Sequence, residues 1–563
     1  MDGRPWLKSY PPGVPAEVPA DGFPSLGSFL EHVCREFAGR TAYISLGRHL
    51  SYAELAEESR RFGAFLQSLP GLDPGARVAL MLPNVLQYPV CLFGVWRAGY
   101  VAVNCNPLYT PRELAAQLAD SGATVIVVLE NFAHVVEQAV ALLGTSSPLR
   151  QVVVTGLGDL LGPLKGSLVN FTLKHLKRKV PSWHLPGALT LRPALARGKQ
   201  SVLVPVPVER HDMALLQYTG GTTGRAKGAM LSHGNLLSNL SQALAWCAGG
   251  MGPEGEFIVT ALPLFHIFSL TANCLLMLRV GGTNLLIANP RDIPGLVREL
   301  AHHPWTAISG VNTLFNALLH DEGFRRLDFR RLSLSLGGGM AVQRSVAQRW
   351  QALTGCHIVE AYGLTETSPA ATANPLGLSA FNGTIGLPLP STSISIRDDD
   401  GREVGADNIG EICVRGPQVM LGYYRRPAET VEVMTADGYL RTGDIGIMDA
   451  QGFIRLVDRK KDTILVSGFN VYPNEVEEVI SALPGVREVA AIGVPDEHSG
   501  EAVKVFIVRD DPVLSVDTIR KHCRENLTGY KLPRTVEFRG ELPKNAVGKI
   551  LRRALRDEAR QQA

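Results

Sequence analysis

The chain has 563 residues, 45% of them hydrophobic and 19% charged, with a formal net charge of +3. That length is too great for one core and suggests roughly three to four domain-sized units of ordinary globular composition. A charge so close to balance gives no ground for a nucleic-acid partner. The eight cysteines are scattered, with neither C-x-x-C spacing nor a His/Cys cluster of the kind that holds zinc. This fits reduced thiols in a cytosolic protein.

The N-terminus is proline-rich and lacks a signal-peptide apolar core. A hairpin is predicted from 42–45 and 48–51 around Gly47, and Ser51 with Glu54 has capping-box spacing for a helix reaching about Leu69. A strand at 77–82, a helix near 87–98, a strand at 101–103, a helix opened by Pro111 and a strand at 124–129 (TVIVVL) follow. This alternation predicts parallel pairing and a layered α/β fold. Residues 157–200 break the rhythm. Leu161, Leu164, Leu168, Phe171, Leu176 and Val180 fall near helical spacing, accompanied by Lys165, Lys174, His175, Lys177, Arg178 and Lys179. Two readings stand: a helix covering the core with a solvated basic face, or a basic amphipathic helix resting on an anionic membrane surface.

Residues 257–278 carry no Asp, Glu, Lys or Arg and are long enough to span a bilayer. Pro263, His266, Ser269, Thr271 and Asn273 within them favour a buried strand, a turn and a core helix. Further strands are predicted at 257–261, 283–287, 306–308, 333–336 and 357–360. From about Asn382, short β runs separated by Asp/Gly turns indicate a small β-rich subdomain. After 458–462 (DRKKD) comes an α+β unit of about 100 residues, with a helix opened by Pro473, strands at 489–494 and 503–508, and a basic C-terminal helix.

Residues 218–228 read YTGGTTGRAKG, behind an apolar run with the length of a buried strand and before Ser232, a candidate helix cap. Glycines bring a ligand close to main-chain N–H groups, and hydroxyls with two cations complete an anion cradle. The pattern predicts a polyphosphate-wrapping loop; a flexible linker is the competing reading. It is not a P-loop, because Gly228 rather than Ser or Thr follows Lys227. Four other stretches have similar character. LGGGM (336–340) and YGLTET (362–367) each follow a predicted strand, where open parallel sheets place ligands. Tyr362 would stack on a base and Glu366 hold a hard cation through oxygen. Asp444 in RTGD (441–444) would accept two ribose hydroxyls. Lys549 sits in the loop PKNAVGKILRR (543–553). Taken singly, each is equally readable as a turn, a polar loop or a solvated charge.

As an ordered set, these stretches strongly resemble the adenylate-forming superfamily of acyl-CoA synthetases, luciferases and peptide-synthetase adenylation domains. The resemblance covers essentially the whole chain. It is nearest to the bacterial long-chain fatty acid–CoA ligases, through TALPLFHIF (260–268), NPRDIPGLV (289–297), GVNTLFNALL (310–319), GPQVMLGYY (416–424), LVSGFNVYPNEVE (465–477) and LTGYKLP (527–533). It implies an acyl-CoA synthetase-like α/β fold: an N-terminal domain over 1–460 of layered α/β subdomains plus a β-rich subdomain, and a mobile α+β domain over 461–563. It also implies ATP-dependent conversion of a fatty acid to acyl-CoA through an acyl adenylate, with Mg2+ and coenzyme A.

On that resemblance Thr219, Gly220, Gly221, Thr222, Thr223, Gly224 and Lys227 bind the ATP phosphates, and Thr222 with Glu366 ligates magnesium. Gly337, Gly338, Gly339 and Tyr362, with Gly363 and Thr365, enclose the adenine. Asp444 takes the ribose hydroxyls, and Arg459 also contacts the nucleotide. Lys461 is the hinge, Lys549 reaches the acyl carboxylate and α-phosphate, His266 sits beside the reacting carboxyl, and the loop around Gly468 approaches the thiol after the domain turns. Tyr439 and Arg441 depart from the family's WLHTGD core, which usually has Trp and His there. They put acyl-chain preference, not reaction class, in doubt. A fatty acyl–AMP ligase loading a carrier protein and a catalytically silent acyl- or nucleotide-binding protein are the alternatives. The implied location is cytoplasmic, with peripheral contact at the inner face of the cell membrane. A homodimer is left open.

Overall fold

The computed structural model describes residues 4–219, 226–250 and 256–562. Two large sheets form its body. In the first, the strands Arg77–Met81, Val101–Asn104, Val125–Leu129 and Met213–Thr219 run parallel at the centre. Val125–Leu129 is buried at every position, as expected of a parallel strand covered on both faces. Each such fully buried Val, Leu or Ile contributes about 1.5–3 kcal/mol relative to exposure. In the second, Phe257–Thr260, Thr283–Leu286, Ala307–Gly310, Leu334–Gly338 and Ile358–Gly363 are parallel, and Ala370–Ala373 turns back antiparallel, with Leu387–Pro388 outside it.

Local chemistry sets the element ends. Ser51 and Thr110 close capping boxes with Glu54 and Glu113, and Pro111 occupies the first turn of its helix. Ser232 caps the helix His233–Cys247, exchanging hydrogen bonds with Asn235. The stretch 257–278 forms the predicted strand, turn and core helix, the last wound partly as a π-helix. Among the described residues no helix is long and apolar enough to cross a membrane. All eight cysteines are free.

A third sheet, antiparallel, comprises Ser393–Arg397, Ile409–Arg415, Leu440–Met448 and Ile454–Arg459. A fourth holds Ile464–Val466, Phe469–Val471, Val486–Asp496, Gly500–Arg509 and Thr535–Phe538. This is a mixed α/β architecture of a large N-terminal part and a small C-terminal one.

Four local expectations need correction. The glycine-rich stretch does not join a strand to a helix. Met213–Thr219 and Lys227–Ser232 pair antiparallel, with Thr219 opposite Lys227, so a second strand stands between the stretch and the helix His233–Cys247. Tyr362 and Gly363 lie within the strand Ile358–Gly363 rather than after it. Asp444 lies within Leu440–Met448 rather than on a free turn; pairing with the neighbouring strand slips there, and the resulting bulge re-aims the side chain. The basic helix is shorter than its periodicity suggests. It comprises Pro163–Phe171 and a π turn over Thr172–Leu176, while Leu161 is buried outside it.

Candidate active site

A single cavity of about 1500 Å³ opens at the carboxyl ends of Leu334–Gly338 and Ile358–Gly363, between the two parts of the chain. The residues Thr219, Lys227, His266, Glu366, Tyr362, Gly363, Thr365, Asp444, Arg459, Lys461, Lys549 and 337–339 all line it.

The residues 337–339 are small for steric reasons. A Cβ on Gly338 would lie 2.9 Å from the Ala361 carbonyl oxygen and 3.1 Å from the Phe268 ring. Gly339 has φ +78°, and its Cβ would come within 3.1 Å of Lys549 Cε and 3.6 Å of Nζ. The side chain of Lys549 therefore lies directly over this turn. Its loop is seated by Thr313, whose hydroxyl donates to the Gly548 carbonyl at 2.9 Å, and by Asn545, whose side chain accepts from the Lys549 N–H at 2.9 Å.

Electrostatics match a site built for anions. Burial, then the nearby Arg459 guanidinium, lowers Lys549 to about 8, with Asp444 opposing. Burial, then the charge of Lys549, lowers His266 to about 3, so its ring is neutral. His266 Nδ1 accepts the Phe268 N–H at 3.3 Å, which leaves the proton on Nε2. The carboxylate of Asp444 accepts from the Tyr362 hydroxyl at 2.7 Å and faces Arg459 Nε at 3.4 Å. Burial raises Asp444, against Arg459, Tyr362 and Lys549. Arg459 stands opposite Asp444 in the strand register, which holds the pair together.

Glu366 is buried, and its Oε1 accepts from the Tyr423 hydroxyl at 2.7 Å. A buried carboxylate oriented in a cleft suits Mg2+, which takes one or two protein carboxylates and completes its shell with water and substrate phosphates. Lys227 is paired with Glu429 at 2.5 Å, over the Tyr423 ring. The residues Gly220, Gly221, Thr222, Thr223 and Gly224 lie outside the described residues.

Gly468 is not part of this assembly. It sits at the tip of the hairpin formed by Ile464–Val466 and Phe469–Val471, with φ +84° and open space around its Cα.

Chain-wide comparison places this geometry. The model of the AMP-binding enzyme matches residues 30–424, and that of the AMP-binding enzyme C-terminal domain matches 475–549. The chain belongs to the AMP-binding enzyme family. It is 56% identical to a long-chain-fatty-acid–CoA ligase of Yersinia pestis over 98% of each chain, and 37% identical to one of Bacillus subtilis over 99% of this chain and 98% of that one. The solved structure of the anthranilate CoA ligase AuaEII with anthranoyl-AMP superposes with a TM-score of 0.85 at 26% identity, covering 97% of this chain and 99% of that one.

Within this AMP-binding enzyme several contributors escape motif reading. Tyr423 orients Glu366, yet in the sequence it is one aromatic among many. Glu429, which holds Lys227, lies 202 residues away from it. Asp458 anchors the C-terminal part: it accepts the Asn474 N–H at 2.8 Å and meets Arg552 at 3.3 Å. Burial pushes Glu360, which accepts the Val342 N–H at 3.3 Å, up to about 8. The departures from the family pattern also find a place. The Tyr439 ring lies between the Arg397 and Arg415 guanidinium groups, at 4.6 and 4.7 Å, and Arg441 lines the cavity.

Proposed function

We propose that this chain activates long-chain fatty acids, using ATP to form an acyl adenylate and coenzyme A to capture it as the thioester. The placement of Lys549 over the 337–339 turn, facing His266 and Asp444, carries the reading. In the first half-reaction a carboxylate oxygen attacks the α-phosphorus, a P–O bond forms and pyrophosphate leaves. Both reactants are anions, so charge is the obstacle, and positioned cations are the remedy. A lysine ~4 Å from the reacting oxygens supplies about 4 kcal/mol at an effective dielectric near 20. His266, neutral, offers its Nε2–H to the carboxylate. Asp444 accepts the ribose hydroxyls, held in aim by Tyr362 and Arg459. Glu366 and Thr222 would hold Mg2+, which when bound neutralises phosphate charge. The glycine-rich stretch before Lys227, with Lys227 itself, steadies the departing pyrophosphate. In the second half-reaction the coenzyme A sulfur attacks the acyl carbon, the C–S bond forms, AMP leaves and the thiol proton passes to solvent.

The chain divides near 460/461, with Lys461 as the hinge, and the Gly468 hairpin enters the cavity when Lys549 leaves it. Fatty-acid-dependent ATP–pyrophosphate exchange, followed by AMP release and thioester formation on adding coenzyme A, is the expected result. Exchange without a thioester would transfer the reading to a carrier-loading ligase, and no exchange with any fatty acid would overturn it.

The same reading includes peripheral contact with an anionic membrane. Leu164, Leu168 and Phe171 fall on one face of Pro163–Phe171 at i, i+4 and i+7 and are 87%, 66% and 55% exposed. Exposed Lys174, Lys177, Arg178 and Lys179 follow. An apolar face flanked by cations suits an anionic lipid surface. Wild-type protein is expected to float with vesicles containing phosphatidylglycerol, and the Leu164→Glu/Leu168→Glu variant to stay behind with its turnover of a soluble acid unchanged. Equal flotation of the two, or none of either, would contradict the assignment.

A further inference from the structure

The cavity extends beyond the nucleotide end as an apolar groove along the helix His233–Cys247. Two hydrogen-bonded ties fix this helix against the strand Ala370–Ala373 and the residue after it. The Asn239 side chain exchanges hydrogen bonds with the Ala370 backbone, at 2.7 and 3.0 Å, and Trp246 Nε1 donates to the Asn374 carbonyl at 3.0 Å. The ties are seven residues apart on the helix and four apart on the strand, which is about 10 Å of helix and about 13 Å of strand. Helix and strand therefore run alongside one another.

The first tie is level with Gly363, because Ala370 pairs with it. The second lies deeper, where the Asn374 N–H reaches the Glu360 carbonyl at 2.9 Å. Asn239, Ala243 and Trp246, at i, i+4 and i+7, present one helix face to the groove. We infer that Trp246 is the end wall of the acyl groove and sets the longest chain the enzyme accepts.

Trp246 is suited to the task because it cannot retreat. It is 4% exposed, and its indole N–H is fixed by Asn374. From behind, the Tyr10 ring meets it edge-on at 5.3 Å and 89°, and the Tyr10 hydroxyl donates to the Pro388 carbonyl at 2.6 Å. The N-terminal segment is thus the brace of a specificity wall: Trp6 and Leu7 pack with Trp246 in the same cluster. The inference rests on the proposed fatty-acid activation.

Its test is kcat/KM for acyl-CoA formation over a chain-length series. Trp246→Ala is expected to raise the ratio of longer acids to the wild-type optimum by about tenfold or more, the scale of one or more methylenes in an apolar pocket, with the KM for ATP unchanged. Ala243→Leu, which fills the groove ahead of the wall, is expected to move the ratio the other way and keeps the test decisive if Trp246→Ala does not fold. A profile that scales uniformly in the folded variants overturns the inference. Failure of the wild type on every fatty acid overturns the functional reading and the inference with it, whereas an active wild type with unmoved variants overturns the inference alone.

Discussion

Lys549→Ala is expected to lose acyl-adenylate formation by roughly 10²–10³-fold, the cost of removing one preorganised charge-stabilising donor, while still converting supplied acyl adenylate to the thioester. The lysine lies over Gly339 beside neutral His266, the place the proposed first half-reaction assigns to the developing charge. In the proposed second half-reaction the Gly468 hairpin, not Lys549, faces the cavity. The loop itself does not depend on the side chain. Asn545 holds it through the Lys549 N–H, at 2.9 Å, and Thr313 holds Gly548. The depressed pKa adds a second readout. The side chain is cationic below about 8 and neutral above it, so kcat/KM for adenylation is fully present at lower pH and falls as pH rises through about 8. Lys549→Arg, always charged, is expected to lack that alkaline limb. Equal losses in both half-reactions of the alanine variant would show the assigned role to be wrong.

Lys461→Pro is expected to do the reverse, sparing adenylation and impairing thioester formation. Lys461 lies in the 3-10 turn Lys460–Asp462, immediately after the last strand of the third sheet. Proline has a φ compatible with such a turn. It therefore tolerates the present arrangement and resists the altered dihedral that would bring Gly468 to the cavity. A penalty of about 3 kcal/mol for that alternative corresponds to roughly 10² in rate. The contacts to be exchanged include Asn316 to the Arg487 carbonyl at 2.9 Å, Thr313 to Gly548, His320 to Asp510 at 3.3 Å, and Asp458 to Arg552 and Asn474. Wild-type overall turnover in the proline variant would remove the hinge assignment, and Lys461→Ala serves as the control for loss of the charge alone.

Much of this was legible before any coordinates because it is local. The run at 124–129 reads as a strand and Ser51 with Glu54 as a helix start, and both form, since the run and the cap are properties of neighbouring residues. The candidate nucleotide-site stretches were legible as an ordered set, through their resemblance to the family, whereas each taken singly was ambiguous; that most of the expected residues line one cavity is what the fold adds. What the sequence determined alone is therefore the α/β layering, the order of the motifs and the chemical class of the cavity. The tertiary structure decided the rest, through contacts between residues far apart in the chain. It paired Thr219 with Lys227 on either side of the glycine-rich stretch, and it turned Asp444 inward by a bulge against another strand. It gave Lys227 to Glu429 and Glu366 to Tyr423. It also brought Tyr10 behind Trp246 to close the acyl groove. The physical reason is the same in each case: periodicity and capping report a residue's neighbours in sequence, whereas the depth of a cavity and the partner of a buried charge depend on which distant surfaces the folded chain presses together.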